Sequence, residues 1–333
     1  MMANSYAASR FDVMEAGRGP VYEVAPEEPA PVRMRAEILM RRAQDAICES
    51  LQRLDGCRFV EEQWASPDGS TEYTDRRLRN GNVFQNVGVN AALVHGTFSP
   101  ETARVATGGS LKIDEPTPFF VASVQVVIHA KNPMVPSGHA HYRYFEAGPE
   151  DAPRRWWFGG GADLTPYYLF DEDAAHFHRV HREVCDRYDP SFYPAFKKWC
   201  DDYFHIVHRG EHRGVGGIFF DNLNSSDRER LFGFVANLAD AFVPAYLPIV
   251  RKRHRMPFSA KHEQWKQLRA GRYIEFNLVY ERGTAFGLKS GGRASSILMG
   301  LPQQARWEYQ HMPGANSEEA RLVEVLRHPR EWA

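Results

Sequence analysis

Residues 118–146, PFFVASVQVVIHAKNPMVPSGHAHYRYFE, decide the fold class. The first part is dense in Val, Ile and Phe, which suit a pleated, half-buried surface. NPMVPSG (132–138) interrupts it with two prolines and a glycine, and HAHYRYFE (139–146) resumes the alternation. Two β-prone runs about a turn predict an antiparallel pair. Alternate residues of a strand share a face, so His139, His141, Arg143 and Phe145 point one way and Ala140, Tyr142 and Tyr144 the other. Two imidazoles and a guanidinium suit neither a buried apolar face nor an ordinary wet one. That face is read as functional.

Outward from this pair, residues 32–54 read as an amphipathic helix, with Leu39, Ala43, Ile47 and Leu51 at four-residue steps. SPDGS (66–70) reads as a turn and VFQNVGVNAALVHG (83–96) as a strand interrupted by glycine. WWFGGGADLTP (156–166) reads as a glycine-rich loop from which Asp163 projects. Helices follow over 171–187 and 190–208, then a strand in RGVGGIFFDNLN (213–224). Ser226 and Glu229 have capping-box spacing for a helix through about residue 243, ended or kinked by Pro244 and Pro248. A helix over 259–270 is expected to stop at Gly271. RYIEFNLVYERG (272–283) alternates like a strand, SGGRASSILMG (290–300) reads as a loop and a β-prone run, and 316–329 as a closing helix. No repeat or linker divides the chain. Paired strands and runs of helices predict a single α+β domain: a large antiparallel β-sheet flanked by α-helices on both sides, spanning 31–333 behind a flexible arm over 1–30.

Forty-one basic against forty-two acidic residues leave a net charge of −1, so composition supports no nucleic-acid or anionic-membrane partner. The four cysteines form no CxxC or zinc-type spacing and are expected to be reduced. No apolar run approaches the roughly 20 residues of a transmembrane segment. Acidic residues crowd the first thirty positions, unlike an organellar presequence, and the chain is expected to be cytoplasmic.

Nine of the fourteen histidines lie between His129 and His212. His178 and His181 on a helix, with His139 and His141 on a strand, have a spacing that a divalent ion could use, although no HExxH occurs. GGG in 159–161 lacks the GxGxxG and GK[ST] patterns of nucleotide loops and lets the backbone pass close to a ligand or another segment. Arg143, and Arg293 in SGGR, suit a carboxylate or phosphate. With abundant Trp and Tyr they describe a pocket for a flat acidic substrate.

IHAKNPMVPSGHAHYRYFE, WWFGGGADLTPYY, HFHR, KKWCDDYF, HRGEHRGVGGIFFDNLN, YIEFNLVYERGTAFGLKSGGR and SSILMGLP, in this order from about residue 35 to about 310, resemble the oxygen-dependent coproporphyrinogen III oxidase family. The resemblance implies oxidative decarboxylation of two propionates of coproporphyrinogen III to vinyls, giving protoporphyrinogen IX with release of CO2 and H2O2. It implies O2 as co-substrate, no organic cofactor, and a homodimer with residues 273–308 at the interface. It marks His139 as the catalytic acid/base and Arg143 as a holder of a substrate carboxylate. Asp163 would engage the pyrrole N–H groups. Gln125, His141, Gly291, Gly292 and Arg293 fall at substrate-binding positions. Two depart from the family, which usually has Ser at 125 and Asn at 141. A divalent metal site of bacterial members would map to His129, His139, His178 and His208. Two rival readings are a metal-dependent oxygenase centred on the histidines and a non-catalytic tetrapyrrole-binding relative.

Overall fold

The computed structural model describes residues 30–149, 153, 155–289 and 292–333. The arm expected over 1–30 falls outside them except for Ala30, and so does Gly291. In chain order the elements are α1 (Val32–Asp55), β1 (Val60–Ala65), β2 (Thr71–Arg79), β3 (Phe84–Phe98), α2 (Pro100–Ala106), β4 (Thr117–Ala130), β5 (Ser137–Ala147) and β6 (Arg155–Thr165). There follow α3 (Asp171–Tyr188), α4 (Phe192–Tyr203), the short pair β7 (His205–Ile206) and β8 (Glu211–His212), and β9 (Gly216–Leu223). The chain closes with α5 (Arg228–Arg253), α6 (Ala260–Val279), α7 (Arg282–Lys289), α8 (Ala294–Ile297) and α9 (Glu318–Arg327).

β1 to β6 and β9 form one antiparallel sheet in the order β1-β2-β3-β4-β5-β6-β9, with helices on both faces, as the sequence predicts. Strand alternation divides it. One face presents Val87, Val89, Val124, Val126, Ala140, Tyr142, Tyr144 and Phe158, all buried, to α1, α3 and α5. The other presents Asn90, Gln125, His139, His141 and Asp163 toward the segment that carries α6, α7 and α8.

α1 buries Ala36, Leu39, Ala43, Ile47 and Leu51 against the sheet, the stripe its sequence shows. Its last residue, Asp55, pins the helix to the start of β3. The carboxylate accepts from the backbone N–H groups of Asn82, Val83 and Phe84, each at 2.9 Å, and from Cys57 at 3.3 Å.

WWFGGGADLTP is a strand, not a loop. Its glycines answer crowding from both neighbours: a Cβ on Gly161 would lie 2.2 Å from the carbonyl oxygen of Ile218, and one on Gly160 2.7 Å from that of His141. The 190–208 helix ends at Tyr203, where the chain turns into β7. α5 is capped by Asp227, which accepts from the N–H of Arg230 at 2.9 Å, while Glu229 pairs with Arg35. Both prolines sit inside α5. Pro248 lacks the N–H that would bond the carbonyl of residue 244. His176 supplies that donor instead, at 3.1 Å. RYIEFNLVYERG is helical: α6 runs through Gly271, where a Cβ would meet the carbonyl of Arg306 at 2.8 Å, so this glycine serves close packing and not a stop. The β-prone run after SGGR begins with the short α8.

α5 corrects the absence of any membrane-length run: by length and composition it could cross a membrane, but 61% of its apolar window is buried within the fold. The four cysteines are free.

Burial works to raise the Asp55 carboxyl, but the amides of Phe84, Val83 and Asn82 outweigh it and hold the group below its ordinary value. Its stabilising contribution is therefore complete above the unfolded carboxyl pKa of about 3.9 and is lost as pH falls through the lower folded value. Asp55→Ala orphans buried amides and should cost about 2–4 kcal/mol at neutral pH. Urea unfolding should show this gap narrowing as the pH is taken below about 4, where the unfolded carboxyl is protonated, and closing further as it falls through the lower folded value.

Candidate active site

His139 on β5 stands opposite Asp163 on β6. This register brings the imidazole Nδ1 to 2.7 Å from Asp163 Oδ1. A carboxylate only accepts, so Nδ1 carries the hydrogen and Nε2 is left facing the cavity as the exchangeable position. Asp163 and Arg213 are each 2% exposed. Arg213 Nη2 donates to Asp163 Oδ1 at 2.9 Å and Oδ2 at 2.8 Å, and Nη1 to Asn277 at 3.2 Å. The guanidinium lies 4.0 Å from the Phe204 ring centroid, 4.7 Å from that of Tyr273 and 5.0 Å from that of Phe276. Burial opposes the Asp163 charge, yet Arg213 and His139 hold its pKa below the ordinary value.

His139 and Asp163 form the floor of a cavity of about 740 Å³, large enough for a flat macrocyclic ligand, with Arg213 buried behind them. Trp64, Tyr73, Tyr203, Phe204 and Phe219 provide aromatic walls, and Asn90, Gln125, His141 and Glu281 polar points. Glu281 accepts from the Tyr203 hydroxyl at 3.0 Å and from the N–H of Thr284 at the start of α7. Burial pushes it up, but the backbone donors of Thr284 and Gly283 keep it ionised more readily than an ordinary glutamate. The His141 pKa is pushed down to about 3, first by burial and then by the nearby charge of Arg143, so the ring is neutral.

The face read as functional lines the cavity only in part. His139, His141, Gln125, Asp163 and Gly292 line the cavity. Arg143 instead donates to Asp221 at 2.6 Å, and Phe145 stacks on Trp157 at 3.9 Å in a separate apolar cluster. Arg293 pairs with Glu62 and lies 3.8 Å from Asp75. Each arginine keeps a nitrogen without an acceptor, Nε of Arg143 and Nη1 of Arg293.

The histidines do not form the expected metal set. His129 bonds Ser137 at 2.7 Å and the Gly300 carbonyl at 2.9 Å. His178 is buried between Tyr193 at 3.0 Å and the Val215 carbonyl at 3.0 Å. His208 bonds Tyr280 and Glu275, each at 2.7 Å. With both ring nitrogens of each engaged elsewhere, these three have no lone pair for a common ion. Among the described residues no group of three His, Cys, Asp or Glu side chains could hold one. His181, expected beside His178, bonds the Phe177 carbonyl at 2.8 Å inside the core. Arg213 and Glu281 were missed because they sit in irregular turns, where no periodicity assigns them a face. The excess of arginine in HRGEHRG was the one available signal for Arg213.

A family model described as coproporphyrinogen III oxidase matches residues 35–332. The chain belongs to the coproporphyrinogen III oxidase family. It is 52% identical over 307 residues to coproporphyrinogen-III oxidase 1, chloroplastic, of Arabidopsis thaliana, covering 90% of this chain and 79% of the relative. It is 49% identical over 309 residues to the mitochondrial oxygen-dependent coproporphyrinogen-III oxidase of Homo sapiens, covering 91% and 68%. The Drosophila melanogaster oxygen-dependent oxidase is 47% identical over 306 residues, covering 90% and 78%. The cytoplasmic expectation is overturned by these oxidases, since the plant and mammalian members are named as chloroplastic or mitochondrial. An acid-rich beginning was a poor guide to compartment.

Within this oxidase fold, Arg213→Met leaves Asp163 buried without its main counter-charge and should cost about 3–5 kcal/mol in urea unfolding. Arg213→Lys, which keeps the charge, should recover a large part of that loss.

Proposed function

We propose that the chain catalyses the oxygen-dependent oxidative decarboxylation of coproporphyrinogen III to protoporphyrinogen IX in haem biosynthesis. The observation that carries this reading is the His139–Asp163 pair on the floor of a macrocycle-sized aromatic cavity, backed by the buried Arg213, in a chain of this family. In each of two rounds a propionate, R–CH2–CH2–COO⁻, reacts with O2 and one proton to give R–CH=CH2, CO2 and H2O2. The C–H and C–COO⁻ bonds both break. One bonding pair becomes the vinyl π bond and the other reduces O2.

His139 Nε2 takes the departing proton, because its Nδ1–H is committed to Asp163. Asp163 stabilises the imidazolium that results. The carboxylate already accepts two bonds from Arg213 and one from His139. Of its roughly four lone-pair sites, about one is left for a pyrrole N–H and for the positive charge that grows on the ring as electrons leave. His141 and Gln125, paired across β4 and β5, offer neutral donors and acceptors to the substrate. Arg143 and Arg293, with Gly291 and Gly292, hold substrate carboxylates, a role that rests on the family resemblance and requires exchange of their present partners Asp221 and Glu62. O2 is the oxidant, so the protein supplies position and electrostatics. Of the rivals, the histidine-centred metal oxygenase meets no ligand set among the described residues.

The chain is further proposed to form a homodimer through residues 273–308. Val279 is 62% exposed, Leu278 50% and Leu288 40%, an apolar strip at the end of α6 and on α7. Val279→Glu should shift sedimentation equilibrium toward the monomer. A dimer of unchanged affinity would place the interface elsewhere.

Turnover of coproporphyrinogen III in air, with porphyrin products separated by fluorescence chromatography, tests the activity. His139→Ala should lower kcat by about 10²–10⁴ with a much smaller change in affinity. Unchanged turnover in that variant removes His139 from the proton step, and tight porphyrin binding without O2 uptake by the wild type points to the non-catalytic rival.

A further inference from the structure

On the flank of α6 a second cavity of about 470 Å³ shares no lining residue with the active-site cavity. Its walls combine two chemistries. Trp265, Leu268 and Val323 give it an apolar interior, and Met312, 71% exposed, stands at its edge. Four arginines, at 209, 269, 272 and 327, line it against two glutamates, at 211 and 308.

The arginines are not saturated. Arg269 is 5% exposed and donates through Nη1 to Glu211 at 2.7 Å, but its buried Nη2 has no acceptor. An orphaned donor on a buried cation is costly, and a ligand oxygen is the economical remedy. One turn further along α6, Arg272 bonds Glu275 at 3.1 Å and lies 3.7 Å from Glu211, acids already committed to Arg209 and Arg269. Burial depresses its pKa despite the opposing charge of Glu275, and the neighbouring Arg209 and Arg269 add to the effect.

A cavity of this kind selects for charge and shape together. An ion such as phosphate would satisfy the guanidinium groups but leave the apolar wall wet. A neutral hydrocarbon would do the reverse. A carboxylate presents two coplanar oxygens to the guanidinium fork. We propose that this cavity is a binding site for an apolar organic carboxylate, with the acid group on Arg269 and Arg272 and the apolar body against Trp265 and Leu268.

The probe is 1-naphthoate, titrated calorimetrically into the full chain with saturating coproporphyrin III present to fill the active-site cavity. One saturable site is expected. It should be weakened at least tenfold in Arg272→Gln and several-fold in Arg327→Gln, an exposed position whose change leaves folding intact. His139→Ala should bind as the wild type does. 1-Naphthalenemethanol, which lacks the charge, and inorganic phosphate, which lacks the apolar body, should each bind at least tenfold more weakly. The proposal is overturned if no saturable heat appears, if Arg327→Gln and Arg272→Gln both bind as the wild type does, or if either control ligand matches the naphthoate.

Discussion

The fold turns on a carboxylate held ionised where water does not reach it. Asp163 is enclosed on β6, one strand in from the sheet edge, and an isolated buried charge there would be prohibitively expensive. Arg213 and His139 together offset that cost. Each is delivered by a different part of the chain: His139 by the register of β5 on β6, Arg213 by the turn after β8. The guanidinium is in turn enclosed by Phe204 from the end of α4 and by Tyr273 and Phe276 from α6. Sheet, turn and helix thus converge on one ion cluster, and the imidazole that results has a single free nitrogen facing the cavity.

The second constraint is steric. The cavity needs an open sheet face beside strands that pack closely. GGG on β6 meets both demands, since Gly159 and Gly161 occupy the cavity-side positions opposite Arg143 and His141. A side chain there would strike Asp221 or the Ile218 carbonyl before it could fill the cavity. The opposite face of the same strands is packed with Tyr142, Tyr144 and Phe158 under α5. Alternation between the two faces is what allows one sheet to be both core and active-site floor.

Alternation is also what made this part of the molecule legible in the sequence. The β4–β5 pair, the shared face of His139 and His141, and α1 with its Leu39–Leu51 stripe followed from local periodicity, and the antiparallel α+β class followed from them. The failures arose where distant contacts outweighed local signals. GGG looked like a loop because the strands pressing on it are invisible in sequence. Gly271 looked like a helix stop because its contact with Arg306 lies 35 positions away in the sequence. The crowding of histidines into a quarter of the chain suggested a metal, yet strand and helix direction sent His129, His178 and His208 to separate carbonyl, hydroxyl and carboxylate partners. Arg143 and Arg293 were singled out for carboxylate or phosphate recognition, but their acidic neighbours Asp221, Glu62 and Asp75 could not be anticipated.

α6 joins these levels. It carries Tyr273, Phe276 and Asn277 toward the ion cluster, and Trp265, Leu268, Arg269 and Arg272 toward the second cavity. The short segment through β8 is held between the two: Glu211 is gripped by Arg269, and Arg213, two residues on, grips Asp163. His212 between them donates to the Leu326 carbonyl and fixes the segment to α9. A shift of α6 along its axis would therefore strain both ion pairs together. The position of the Asp163 carboxylate is set in part by a helix whose other contacts lie outside the cavity, and this is the physical route by which the rest of the molecule bears on His139.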